Sequence, residues 1–121
     1  MALSVLICDD SLLARKQVRK SLPDDLDAEF FSAANGREAL EVLQQQEIGL
    51  VFLDLTMPEL DGIGVLEQIR QLQLDCFVVV VSADIQPEMQ RRVNELGALA
   101  FVQKPVSADK LSGLLKQYGL V

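Results

Sequence analysis

The stretch Leu50-Val51-Phe52-Leu53-Asp54 decides the fold. Four apolar residues in succession end on a carboxylate. A strand wetted on one face alternates apolar with polar residues. A strand covered on both faces does not, and parallel sheets are covered on both. Leu3 to Cys8 and Phe77 to Val81 read the same way, as nearly continuous apolar runs. Two shorter strands, Ala28 to Ser32 and Ala100 to Gln103, lie between and after them. Helical patterns follow each strand: Ser11 to Leu22, Arg37 to Gln46 behind the Asn35-Gly36 turn, and Ile63 to Leu72. Then come Gln86 to Leu96, closed by Gly97 as a C′ residue, and Ser107 to Tyr118 with Ser107 as N-cap. This alternation predicts an α/β fold, an open, doubly wound parallel sheet of five strands with five helices on its two faces. Strand twist makes the crossovers right-handed. Two stripes are expected to face the core: Met89, Val93 and Leu96, and then Leu111, Leu114, Leu115 and Tyr118.

Composition narrows the function. A chain of 121 residues, 50% apolar and 24% charged, suits a single domain with its own core. There is no histidine, which removes His-based metal sites, Ser/Cys–His catalysis and a phosphohistidine carrier role. The net charge of −7 argues against nucleic acid as a direct partner. Cys8 and Cys76 show no ligand spacing and read as free thiols in a reduced compartment. Asp9 and Asp10 interrupt the first apolar run, and no later run is long enough to span a bilayer. A cytoplasmic location without membrane insertion is expected. Arg15, Lys16, Arg19 and Lys20 gather on the first helix, where a solvated face is the ordinary reading. Ala14, Val18 and Leu22 define that helix's buried stripe, which leaves at least one of Leu12 and Leu13 exposed.

Ligands of open parallel sheets bind beyond the carboxyl ends of the strands. Four of the five strand ends carry a polar group there: Asp9-Asp10, Asp54, Ser82 and Lys104. Singly, each is an ordinary cap, turn or surface residue. Together they place three carboxylates, a hydroxyl and an ammonium on one rim. Two carboxylates about 4 Å apart repel by roughly 4 kcal/mol at an effective dielectric near 20. Such a cluster raises a carboxyl pKa or recruits a cation. With oxygen donors alone the cation is hard, Mg²⁺ or Mn²⁺ in its place. A carboxylate is itself a nucleophile toward phosphorus, and a metal, a lysine and a hydroxyl can neutralise three phosphoryl oxygens. The pattern points to phosphoryl transfer onto a carboxylate.

These same residues resemble the motifs of receiver domains of two-component response regulators. The matching segments are Cys8-Asp9-Asp10-Ser11, Leu53-Asp54-Leu55-Thr56-Met57-Pro58-Glu59-Leu60-Asp61-Gly62, Val81-Ser82-Ala83 and Gln103-Lys104-Pro105. They fall in order, each at a strand end, and the resemblance covers essentially the whole chain, residues 1–121. It implies the flavodoxin-like strand order 2-1-3-4-5 of chemotaxis receivers. It also implies roles. Asp54 is the phosphoacceptor. Asp10, Asp54 and the Thr56 carbonyl hold Mg²⁺, and Asp9 acts through water or from behind. Lys104 pairs with the phosphoryl group, and Ser82 moves to bond it while Phe101 rotates inward. Thr56 and Asp84 match positions that tune phosphate lifetime, and Lys104-Pro105 is expected to be cis. Val106 departs from the phenylalanine frequent at its position.

The implied partners are a sensor histidine kinase or a histidine phosphotransfer protein as donor, with Leu12 or Leu13 as a docking contact. The listener is a downstream protein, an output domain or, on phosphorylation, a second copy of the chain. The surface of the fourth helix, fifth strand and last helix would carry the change. The expected behaviour is acceptance and slow loss of phosphate rather than enzymatic turnover. A haloacid dehalogenase-type phosphatase would carry an acid at Thr56, two residues past the nucleophile. A phosphorylation-independent receiver-like module would lack a site residue, and all are present. A nucleotide or flavin carrier needs a loop rich in glycine or hydroxyls. A chemotaxis-related single-domain regulator is favoured by the missing output segment. A receiver continuing past Val121 into an output domain is the alternative.

Overall fold

The computed structural model describes residues 3–57, 59–83 and 86–120. Strands β1 (Leu3–Cys8), β2 (Ala28–Ala33), β3 (Leu50–Asp54), β4 (Phe77–Ser82) and β5 (Ala100–Gln103) alternate with helices. These are α1 (Leu12–Ser21), α2 (Gly36–Gln45), α3 (Gly62–Gln71), α4 (Pro87–Glu95) and α5 (Ala108–Gln117). The sheet is parallel throughout, in the order β2-β1-β3-β4-β5. The chain starts at β1, lays β2 to one side and β3 to the other. The order therefore reverses between β1 and β3, and the crevice of a doubly wound sheet opens there.

Two apolar layers cover the sheet. Val18 and Leu22 of the α1 segment and Leu111 and Leu115 of α5 pack on Val5, Ile7, Leu50, Phe52, Val79 and Val81. On the other face, Ala39 and Leu43 of α2, Val65, Leu66 and Ile69 of α3 and Val93 of α4 pack on Leu6, Val51, Leu53 and Val80. All five residues of β3 are buried. Its unbroken apolar run thus reflects cover on both faces, at about 1.5–3 kcal/mol for each large side chain removed from water. Among the described residues no helix is long and apolar enough to cross a membrane.

The starts of α1, α2, α3 and α5 are fixed by side-chain caps, and α4 opens on Pro87. Ser11, Asn35, Asp61 and Ser107 accept from the amides of Ala14, Glu38, Gly64 and Lys110 respectively, each worth about 1 kcal/mol. Gly97, just past α4, has φ +98, the left-handed C′ conformation. Most element boundaries lie within a residue of the sequence reading, and at two helix starts the shift takes in a glycine. Gly36 and Gly62 lie inside their helices rather than before them. A Cβ on Gly36 would sit 2.0 Å from the Leu60 carbonyl oxygen, and one on Gly62 would sit 2.4 Å from that of Asp54. These glycines allow close tertiary approach, which local turn preference does not report. Tyr118 also departs from the expected core stripe. It is 41% exposed, beyond the last turn of α5, and its hydroxyl donates to the Leu99 carbonyl at 3.3 Å.

Candidate functional site

The polar strand ends meet at the β1/β3 crevice. Asp54 and Ser82 are the last residues of their strands, so the sheet ladder itself fixes their backbones. The register pairs Asp54 with Val81 and Ser82 with Gln103. Asp9 extends the ladder by one bond, its amide donating to the Ala33 carbonyl at 3.1 Å. The Lys104 amide donates to the Ser82 carbonyl at 2.9 Å, and the Lys104–Pro105 peptide is cis. Lys104 thus enters the rim from the far strand.

Its ammonium bridges the crevice. Nζ lies 2.9 Å from Asp9 Oδ2 and 3.3 Å from Asp54 Oδ1. The remaining polar atoms of Asp9 are held as well. The Ser11 amide donates to Oδ1 at 2.9 Å, and the Arg15 guanidinium donates to the Asp9 main-chain carbonyl. Asp9, Asp54 and Ser82 are buried, while Asp10 faces solvent. One oxygen from each of Asp9, Asp10 and Asp54 falls within a 4.8 Å group.

Charge in the crevice is unbalanced: three carboxylates face one ammonium. Burial raises the Asp54 pKa above the ordinary carboxylate range, and the charge of Asp9 raises it further, against the opposing pull of Lys104. Burial alone would lower the Lys104 pKa. Its hydrogen bond to Asp9 and the charges of Asp54 and Asp9 outweigh that and raise it. A closely spaced, all-oxygen, net negative donor set fits a hard divalent cation. Asp9 already accepts a bond at each carboxylate oxygen, whereas Asp10 is open to solvent.

Of the residues singled out from the sequence, Asp9, Asp10, Asp54 and Lys104 converge, with Ser82 one strand over. Thr56 is exposed on the loop after β3. Phe101 sits three residues before Lys104, half-buried against the core on the α2–α3–α4 side. Asp84 lies outside the described residues. Leu12 and Leu13 are both exposed, at 57% and 79%. The sequence reading missed Arg15 and Gly62. Arg15 was grouped with a solvated basic face, and its reach to Asp9, six residues back, depends on how α1 docks. Gly62 enters the sequence reading only as the end of the second matching segment.

Comparison with known proteins agrees with this geometry. The response regulator receiver domain family matches residues 5–116. The chemotaxis protein CheY of Bacillus subtilis is 33% identical over 111 residues, covering 92% of each chain. A protein-glutamate methylesterase/protein-glutamine glutaminase of Treponema pallidum is 37% identical over 111 residues, 88% of this chain but 27% of that longer one. Among solved structures, the CheX–CheY–BeF3–Mg²⁺ complex of Borrelia burgdorferi superposes with a TM-score of 0.86 at 29% identity. The match covers 96% of this chain and 89% of that one. Fold, strand-end chemistry and sequence similarity run together along nearly the whole length, and the chain belongs to the response regulator receiver domains of two-component signalling.

Proposed function

We propose that Asp54 accepts a phosphoryl group and that its modification switches the α4–β5–α5 surface between two partner-binding states. The observation carrying this reading is the Lys104 bridge, 2.9 Å to Asp9 and 3.3 Å to Asp54, beside three carboxylates grouped within 4.8 Å. A buried carboxylate pinned at a strand end, with an ammonium beside it, is a positioned nucleophile. An Asp54 oxygen attacks phosphorus of a phosphohistidine donor. The new O–P bond forms as the P–N bond breaks, and the imidazole nitrogen keeps the electron pair. Lys104 turns toward the incoming phosphoryl oxygens and offsets their charge.

Mg²⁺, or Mn²⁺, supplies further neutralisation of those oxygens when bound. Asp10, Asp54 and the Thr56 carbonyl would hold it directly. Both carboxylate oxygens of Asp9 already accept bonds, which favours a part for Asp9 through water. The Borrelia neighbour is a complex with BeF3 and Mg²⁺, in line with this assignment. Ser82, buried at the end of β4, would move to bond a phosphoryl oxygen, and Phe101 would repack with it. The donor is a sensor histidine kinase or a phosphotransfer protein. Similarity to CheY favours a stand-alone regulator in a chemotaxis-type pathway. The methylesterase relative, much longer than its matched segment, keeps a receiver joined to an output domain as the second form. With Thr56 where a phosphatase carries its acid, no turnover of small phosphate esters is expected.

Intact-mass measurement after incubation with acetyl phosphate and Mg²⁺ tests the reading. One phosphoryl adduct is expected, absent in Asp54→Ala and when the metal is chelated. An adduct that persists in Asp54→Ala would overturn it.

A further inference from the structure

Strand β1 is one ladder bond short at its carboxyl end. Its register on β2 pairs Leu3 with Ala28 and Cys8 with Ala33. Continued one step, that register sets Asp9 opposite Ala34. In a parallel ladder a residue donates to one neighbour of its opposite number and accepts from the other. The Asp9 amide makes the first bond, to the Ala33 carbonyl at 3.1 Å. The donor for its carbonyl would be the Asn35 amide. But β2 ends at Ala33, and Asn35 has turned away to cap α2. The carbonyl of a buried residue is left where the ladder runs out, and such groups need a partner. Arg15 supplies it: its guanidinium donates to this oxygen from α1.

This arginine differs from the other cations of its helix. Lys16, Arg19 and Lys20 are exposed, whereas Arg15 is half-buried. Its bond goes to the main chain rather than to a carboxylate. Every polar group of Asp9 is thereby held: the amide by Ala33, Oδ1 by the Ser11 amide, Oδ2 by Lys104 and the carbonyl by Arg15. Asp10 is the opposite. It is exposed, and its carboxylate has no hydrogen bond or ion pair among the described residues. Yet one of its oxygens lies within the 4.8 Å group with those of Asp9 and Asp54. Since nothing grips the side chain, the backbone must place it. The Asp9 carbonyl belongs to the planar peptide that joins Asp9 to Asp10. Turning that plane changes ψ of Asp9 and φ of Asp10 together and swings the Asp10 carboxylate away from the other two.

We propose that Arg15 is a positioning residue for the metal: by holding the Asp9 carbonyl it fixes the Asp9–Asp10 peptide and so presents Asp10 to Mg²⁺. The inference rests on the proposed role of Asp10 as a direct ligand. Charge alone gives Arg15 the contrary effect. A guanidinium beside a cation site repels the incoming ion, so removing it would tighten Mg²⁺ binding. Removing the bond that holds the peptide should weaken binding, because groups behind the ligands set metal affinity by about tenfold or more. The two effects oppose, and the direction of the change tells them apart. The bond to a main-chain oxygen also spares the ligand oxygens, so Asp10 stays open to the metal.

Titration of the whole chain with Mg²⁺, without phosphodonor, is the test, followed by calorimetry and by the amide resonances of Asp10 and Asp54. Arg15→Gln should weaken Mg²⁺ binding by about tenfold and should shift the Asp10 resonance already in the metal-free protein. Arg15→Lys keeps the charge and one donor but loses the planar fork, and should fall between wild type and Arg15→Gln. Lys16→Gln removes a charge from the same helix without touching the Asp9 carbonyl. It should bind Mg²⁺ as tightly as wild type or more tightly. With acetyl phosphate, Arg15→Gln should need about ten times more Mg²⁺ for half-maximal labelling. At saturating Mg²⁺ its rate should return to within about twofold of wild type. Melting in metal-free buffer checks the fold of each variant. If Arg15→Gln fails to fold, Arg15→Lys decides, and wild-type affinity there would overturn the proposal. So would unchanged or tighter Mg²⁺ binding in Arg15→Gln, or a lower saturating rate at unchanged half-saturation. Failure of the phosphoacceptor reading looks different: wild type would bind Mg²⁺ but take no phosphoryl group, and the affinity comparison would still decide the role of Arg15.

Discussion

The two rims of this sheet are built from the same five strands and differ in almost everything else. At the carboxyl rim, Asp9, Asp54, Ser82 and Lys104 converge from four strands. At the amino rim, β1, β2, β3, β4 and β5 begin on Leu3, Ala28, Leu50, Phe77 and Ala100. A cavity of about 530 Å³ lies at that amino rim, lined by Leu43, Gln44, Ile48, Gly49, Leu74 and Cys76 among others. It exceeds the cavity of about 480 Å³ beside Ser11 and Lys104 at the carboxyl rim, and its own lining holds two acids, Glu47 and Asp75, without a lysine or arginine. Volume does not distinguish the rims. Convergent charge does, and it leaves the carboxyl rim electrostatically unbalanced while the amino rim is an ordinary end of a core.

Removing the bridging charge should separate the rims most widely. In Lys104→Ala, Asp9 and Asp54 stay buried without their ammonium. Breaking a fully buried pair costs about 3–5 kcal/mol. The Lys104 side chain is 29% exposed, so solvent screens part of this and a loss of about 2 kcal/mol is expected in urea denaturation. Labelling by acetyl phosphate should slow by about 100-fold or more, as when a group that stabilises transition-state charge is removed. Asp75→Ala at the amino rim should change stability by less than about 0.5 kcal/mol and leave labelling intact. Comparable losses in the two variants would erase the distinction.

Two glycine-to-alanine changes give opposite signs. At Gly62 the added methyl would meet the Asp54 carbonyl oxygen at 2.4 Å and Leu55 Cα at 2.7 Å. Backbone must move, and a destabilisation of about 1–3 kcal/mol is expected, with slower labelling because the displaced residue is the proposed acceptor. Gly113, inside α5, has nothing within 4 Å of the added Cβ. There alanine should stabilise by about 0.5–1 kcal/mol without touching labelling. Thermal melts of both variants, with labelling rates, decide it.

The two rims were also unequally legible in the sequence. Asp9, Asp54, Ser82 and Lys104 were found because topology alone sends strand ends to one rim, whatever the side-chain details. The doubly wound class followed from the unbroken runs of β1, β3 and β4. Contacts that depend on how one packed element approaches another were not legible. Arg15 reaches back to Asp9 only because α1 docks as it does. Gly36 and Gly62 matter for the loop and strand that press on them. Tyr118 shares the helical period of Leu111 and Leu115 but lies one turn past the edge of the core.

The smallest effect is expected at the amino rim, from the thiol of Cys76. Burial, and then the charge of Asp75, raise its pKa from 9.0 to about 11. At pH 8 its thiolate fraction is about 100-fold below that of an unperturbed thiol, so iodoacetamide should react slowly in the native protein. The rate should climb about tenfold per pH unit until it levels near pH 11. Cys8 is raised further by burial and Asp9 and should stay unmodified while the fold is intact. The linked stability term has a definite sign. The unfolded thiol ionises first, so this contribution is complete below about pH 9 and is lost as pH rises toward 11. Asp75→Asn should speed alkylation at pH 8 by removing one repulsive charge. Blocking Cys76 should leave phosphoryl labelling unchanged, because β3 is held between β1 and β4 from Leu50 to Leu53 and Asp54 is still paired with Val81. A fall in labelling on alkylation would mean that strain crosses the sheet from one rim to the other, and that the rims are a coupled pair.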